Sequence, residues 1–103
     1  MTTNDYEIIH NLDRNRFEVT IEGLTAELVY RKAGDTINFR HTGVPEAIEG
    51  RGIGSALART GLEYAKQEGL TVIPSCPFVR HYIDRHPEYQ PLLTPSQHGT
   101  DHE

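Results

Sequence analysis

The chain has 103 residues, 36% of them hydrophobic and 24% charged, with a formal charge of −5; these proportions suit one small globular domain with a modest core. The acidic balance argues against general binding to nucleic-acid phosphates and suits a cationic partner such as an amine. The lone Cys76 excludes an internal disulfide and paired-cysteine metal motifs; no apolar run approaches the ~20 residues that span a bilayer and nothing near Met1 reads as an export signal, so a cytoplasmic address is expected.

The first forty residues alternate as strands do: "YEIIHNL", "RFEVTIEG", "LTAELVYRKAG" and "DTINFRHT" are rich in β-branched and aromatic residues. Short polar or glycine-bearing joints at 13–15, 22–23 and 34–35 suit an antiparallel meander. Phe17, Val19 and Ile21 share one face of their strand, as do Ile37 and Phe39 of theirs, so both strands offer an apolar side to a core.

From Gly52 the period changes. Ile53, Leu57, Gly61 and Ala65 recur four apart, with Ala58 and Leu62 beside them, which predicts a helix that Gly69 stops. "LTVIPSC" then reads as a buried strand, and "FVRHYIDRH" as a shorter helix with Phe78, Tyr82 and Ile83 on one side, unable to continue through Pro87. The tail, residues 94–103, lacks apolar residues and is expected to be a mobile terminus to a domain of residues 1–93.

"EGRGIGSAL", residues 49–57, places three glycines at the start of the predicted helix. A helix N-terminus leaves backbone N–H groups unpaired and partly positive, and absent Cβ atoms let a diphosphate approach the amides of residues 51–55, with Ser55 and Arg51 adding contacts. The same glycines also suit a plain tight turn. A Walker loop is excluded, because Ser55-Ala56 follows Gly54 where Lys-Ser or Lys-Thr is required; a Rossmann fingerprint is excluded by Leu57 and by the antiparallel pattern upstream.

The order of parts, together with "HTGVPEAIEGRGIG", "YAKQEGLTVIPSCPF" and "HPEY", resembles the GNAT superfamily of acetyl-coenzyme A-dependent N-acetyltransferases, in particular its very short YjdJ-like branch, over residues 5–93. The resemblance implies an α+β fold: a mixed, largely antiparallel sheet splayed between strands 4 and 5, a main helix after the glycine-rich loop and a shorter helix after strand 5. It implies acetyl-coenzyme A as cosubstrate, with the motif Gln/Arg-x-x-Gly-x-Gly/Ala falling on Glu49, Gly50, Arg51, Gly52, Ile53 and Gly54; Glu49 departs from it and is expected to point away or to weaken affinity. The backbone from Val44 to Ile48 would meet pantetheine, and Pro45, lacking a donor, is compatible with a free strand edge.

Acyl transfer to an amine needs a neutral amine, a polarised thioester carbonyl and a stabilised leaving thiolate. By the resemblance, Tyr82 is a candidate general acid near the sulfur, against the plainer role of a core tyrosine. His41, at the end of the fourth strand, is a candidate base because imidazole titrates near neutrality. Cys76 in "PSCP" is a candidate acyl acceptor, a residue lining the site, or a small buried hydrophobe. Cys76, His81 and His86 match no common zinc spacing, so no metal is expected. The chain is short enough that an open acceptor site and a monomer are expected. The leading expectation is direct N-acetyl transfer to a small amine, a lysine or an N-terminal amine; a non-catalytic acyl-coenzyme A-binding module and a Cys76-dependent acyltransferase or thioesterase are the alternatives.

Overall fold

Alternating apolar and polar residues in the first half build four antiparallel strands: β1 (Ile9–Asn11), β2 (Arg16–Ile21), β3 (Leu24–Ala33) and β4 (Thr36–Gly43). The computed structural model describes residues 6–93, so the expected tail at 94–103 lies outside the described residues. After β4 come a 3-10 turn (Glu46–Ile48), helix α1 (Ile53–Glu68), strand β5 (Thr71–Pro74), helix α2 (Pro77–Arg85) and a second 3-10 segment (Pro87–Leu92). The strands lie in sequence order, and only β5 joins in parallel, beside β4.

Period-2 patterning sorts β2 to β4 into two faces. Phe17, Val19, Ala26, Leu28, Tyr30, Ile37 and Phe39 are buried on the side that α1 and α2 cover, while Arg16, Glu18, Glu27 and Arg31 stand on the other side and none is buried. On α1 the predicted stripe of Ile53, Leu57, Ala58, Gly61, Leu62 and Ala65 is the buried one. Gly61 lets the helix approach the sheet closely: a Cβ there would meet Phe39 Cε1 at 2.8 Å and Leu28 Cδ2 at 3.1 Å. Gly69, with φ 70°, ends the helix in the left-handed region, its N–H reaching back to the carbonyls of the last turn.

Two local events shape the end of the sheet. Val29 pairs with His41 whereas Tyr30 pairs with Phe39, so Arg40 is an extra residue in β4. Such a bulge bends its strand and shifts the alternation by one; Phe39 and Thr42 both face the helices, and His41 faces away. The β4–β5 pairing runs from Thr36–Thr71 to Phe39–Pro74. One further bond joins the Cys76 N–H to the Phe39 carbonyl at 2.8 Å, and then β4 runs on to Gly43 with no partner residue in β5.

On α2 the buried residues are Val79 and Ile83. The expected face of Phe78, Tyr82 and Ile83 is therefore corrected: Phe78 is 41% exposed and Tyr82 half-buried. Pro77 opens this helix and Pro87 the 3-10 segment after it, positions where a missing N–H costs no helical bond.

Candidate functional site

A cleft of about 440 Å³ opens between the unpaired end of β4 and the start of α1, lined by Thr42, Val44, Glu49, Gly50, Gly52, Ile53, Gly54, Ser55 and Phe78. Its floor is the amino end of α1. Gly52, the N-cap, has φ 75° and contributes no side-chain cap, and no acidic residue occupies the first turn. The first intrahelical bond runs from the Ala56 N–H to the Gly52 carbonyl at 3.0 Å, which leaves the N–H groups of Ile53, Gly54 and Ser55 without intrahelical partners. A long uncapped helix with its positive end facing a cleft has the chemistry of an anion cradle.

The three glycines have different reasons. Gly50 and Gly52 take positive φ, at 83° and 75°, where a side chain is strained. Gly54 is helical, and it is small because Phe78 lies against it: a Cβ would meet Phe78 Cζ at 2.9 Å. Phe78 and Thr42 were not anticipated from the sequence. The signal for Phe78 was present in the apolar residue that directly follows Pro77, off the Val79–Ile83 stripe.

Other expected binding residues divide. Val44, Gly50, Gly52, Ile53, Gly54 and Ser55 line the cleft. Ile48 does not; it is fully buried and anchors the 3-10 turn in the core. Arg51 is tied elsewhere, with its Nη1 3.1 Å from Glu22 Oε2 and its carbonyl accepting a bond from the Tyr6 hydroxyl at 2.5 Å. Glu49, expected to point away or to weaken affinity, is among the lining residues.

The candidate catalytic residues do not converge on one point. Cys76 is the N-cap of α2 and only 3% exposed, its Sγ 3.2 Å from the Thr42 Oγ1 that borders the cleft. His41 lies on the uncovered face of the sheet, its side chain 62% exposed and its Nε2 3.8 Å from Glu27 Oε2. Glu27 in turn accepts a bond from Arg16 Nη1 at 2.7 Å. A shallow depression of about 400 Å³ lined by Arg16, Thr25, Glu27, Gly43, Val44 and Pro45 occupies this face, so Val44 borders both it and the cleft.

Tyr82 lies in neither. It lines a recess of about 300 Å³ with Ser55, Phe78, His81, Arg85 and His86. Its ring stacks on His86 with centroids 4.0 Å apart, and the His86 Nδ1 lies 2.8 Å from the Tyr82 carbonyl. Burial holds the Tyr82 phenol above its ordinary range. Nearby, the Tyr89 hydroxyl donates to Glu63 Oε2 at 2.6 Å, and burial followed by that bond raises its pKa as well.

Residues 16–92, from the start of β2 to the end of the second 3-10 segment, match the family described as GCN5-related N-acetyl-transferase. The chain belongs to the GCN5-related N-acetyltransferase family. Its relatives include Protein NATD1 of Xenopus tropicalis, 30% identical over 98 residues that cover 90% of each chain, and Protein NATD1 of Mus musculus, 33% identical over 91 residues covering 84% of this chain and 83% of the mouse protein. The solution structure of a GCN5-like protein from Staphylococcus aureus superimposes with a TM-score of 0.70 at 30% identity, covering 97% of this chain and 99% of that one. GCN5-related membership agrees with the mixed sheet, the parallel pair β4–β5 and the helices that follow each of those strands. No helix among the described residues is long and apolar enough to cross a membrane.

Proposed function

We propose that the protein is an acetyl-coenzyme A-dependent N-acetyltransferase that moves the acetyl group directly to an amine. The observation that carries this reading is a single cleft bounded at one end by the uncapped α1 amides and at the other by the strand edge that β5 leaves free. Both parts fit the cosubstrate: fixed N–H donors suit a diphosphate, and the edge of β4 beyond Phe39, paired to β3 on one side but not to β5 on the other, suits an amide-bearing pantetheine arm. When bound, acetyl-coenzyme A supplies an activated acyl thioester. Thr42 and Cys76 stand where the two strands part, Oγ1 and Sγ 3.2 Å apart, and the Thr42 hydroxyl, which borders the cleft there, would donate a hydrogen bond to the departing sulfur.

The amine approaches from the uncovered face, where Glu27 gives the depression a carboxylate and His41 is a base with solvent access. In the net reaction a neutral amine forms the C–N bond as the C–S bond breaks; one proton leaves the amine nitrogen, toward His41, and the thiolate takes one from solvent. Tyr82 faces a different recess and has no part in this scheme. Cys76 is nearly enclosed and touches a hydroxyl rather than an imidazole or carboxylate, which favours direct attack over an acetylated cysteine.

Calorimetric titration with acetyl-coenzyme A, followed by coenzyme A release in the presence of small amines, lysine peptides and peptides with free N-termini, tests the reading. Saturable binding with amine-dependent release supports it. Binding without release from any amine would make the protein an acyl-coenzyme A-binding module instead. An acetyl adduct in the intact mass that Cys76→Ala abolishes would overturn direct attack.

A further inference from the structure

The recess between α1 and α2 continues the cleft. The two share Ser55 and Phe78, and beyond that shared wall the recess is lined by His81, Tyr82, Arg85 and His86. Among the described residues that line it, none is acidic. In a chain of net charge −5 a lining with a guanidinium, two imidazoles and no carboxylate is an exception to the overall balance; Glu63 and Glu88 act on Tyr82 from outside that lining, and the Arg85 guanidinium is the charge on the wall itself that suits an anion.

Arg85 and His81 are both exposed. Neither has an ion pair or hydrogen bond from its side chain among the described residues. Arg51, by contrast, is engaged by Glu22. The walls are flat as well as basic: Phe78 exposes 41% of its surface, the Tyr82 ring stacks on His86 at 4.0 Å, and these aromatic faces flank the cationic end. An aromatic wall beside an unpaired guanidinium and an exposed imidazole fits a ligand with a planar base and a phosphate monoester. The same cleft offers a diphosphate site at the residues that adjoin Ser55.

We propose that this recess holds the 3′-phosphoadenosine end of coenzyme A, with Arg85 and His81 binding the 3′-phosphate and Phe78 and the Tyr82–His86 stack bordering the purine. This rests on the coenzyme reading above and adds to it a means of discrimination. The 3′-phosphate distinguishes coenzyme A from its dephospho precursor and from thioesters on other pantetheine carriers, which share the arm and lack that group. Tyr82 then has a role as a wall of the binding recess rather than as an acid.

Calorimetric titration of the wild type with coenzyme A and with dephospho-coenzyme A tests this, repeated in Arg85→Gln and His81→Gln after far-UV circular dichroism has shown both variants folded. The expected result is wild-type binding ~10-fold tighter for coenzyme A, with the ratio falling toward one in Arg85→Gln and by a smaller factor in His81→Gln, while dephospho-coenzyme A affinity is nearly unchanged. Adenosine 3′,5′-bisphosphate should compete with coenzyme A, and less well in Arg85→Gln. Equal wild-type affinities, or a ratio that survives both substitutions, would overturn the recess assignment while leaving the cleft reading intact. Binding of neither coenzyme would overturn both.

Discussion

The Phe78 ring lies across Gly54, so close that a Cβ on Gly54 would meet its Cζ at 2.9 Å. The first turn of α1 and the first turn of α2 are thereby locked together at the point where the cleft meets the recess. Because Phe78 is part exposed, an added methyl should push the ring outward rather than break the fold. Gly54→Ala is expected to weaken coenzyme A binding by ~10-fold with little loss of stability, since alanine also favours the helix by up to ~1 kcal/mol over glycine. Shortening the ring should relieve the clash, so Gly54→Ala with Phe78→Ala should lose less affinity than the two single losses combined. A double-mutant cycle by calorimetry decides it; simple additivity would show that the two residues are not coupled.

Gly61 gives the opposite outcome for the same substitution. Its missing Cβ is filled by Phe39 and Leu28 at 2.8 and 3.1 Å, and both are fully buried, so neither can swing into solvent. Gly61→Ala should cost ~1–3 kcal/mol by overpacking, read as a lower urea midpoint with an unchanged slope. A midpoint equal to the wild type's would mean that α1 can move away from the sheet without penalty.

The chain order of strands and helices was legible because burial on one face leaves a period in the residues: Phe17, Val19, Ile37 and Phe39 on the strands and Ile53, Leu57, Ala58, Gly61, Leu62 and Ala65 on α1 are buried as the pattern implied, while Ile21, expected on the face of Phe17 and Val19, is only half-buried. The glycine stretch was legible as a helix start. What the sequence hid is one residue of register. Arg40 is an ordinary strand residue by type, and only its lack of a partner between the Val29–His41 and Tyr30–Phe39 pairs turns Thr42 toward the cleft and His41 away from it. The bulge is a property of two strands together, so no local pattern encodes it. On α2, Phe78 and Tyr82 read as core by hydrophobicity, yet the core took Val79 and Ile83, leaving the aromatic pair for the recess.

Arg51 illustrates how an ion pair redirects a motif residue. Its guanidinium is 3.1 Å from Glu22, a residue held at φ 54° in the turn between β2 and β3. Under the proposed binding mode, in which backbone amides hold the diphosphate, Arg51→Ala should change coenzyme A affinity by less than ~3-fold, as befits a part-exposed pair. Glu22→Gln should raise affinity by a similar small factor at low salt, and the gain should fade as salt screens the freed charge. A loss of ~10-fold or more in Arg51→Ala would mean that the arginine leaves Glu22 to hold phosphate.

Thr42 and Tyr82 separate the two sides of the α1 doorway. Thr42→Val removes the hydroxyl that borders the cleft and lies 3.2 Å from Cys76 Sγ, and with an amine that supports turnover it should lower kcat by ~10-fold or more with coenzyme affinity nearly intact. Tyr82→Phe keeps the ring stacked on His86 and removes only the hydroxyl, so kcat should stay within ~2-fold. The reverse pattern in steady-state kinetics would restore Tyr82 as the acid and remove Thr42 from the scheme.

The pH dependence of stability should fall in two separate windows. Burial, reinforced by the charge of Lys32, holds the His10 imidazole below its ordinary 6.5, and its Nε2 lies 2.6 Å from the Tyr30 hydroxyl. The unfolded chain therefore binds a proton that the native state refuses; stability from this source is fully present above 6.5 and is lost as pH falls from there toward the folded value. Glu18 acts lower: the bond from Arg16, at 2.5 Å, holds its carboxyl below its ordinary 4.5, so its contribution is complete above 4.5 and disappears beneath it. Urea midpoints should drop first as pH falls below about 6.5 and again below about pH 4.5. In His10→Gln the first drop should shrink and the second remain. A first drop of undiminished size would assign it to another group and leave His10 a packing residue against Phe17, whose ring centroid is 4.1 Å away.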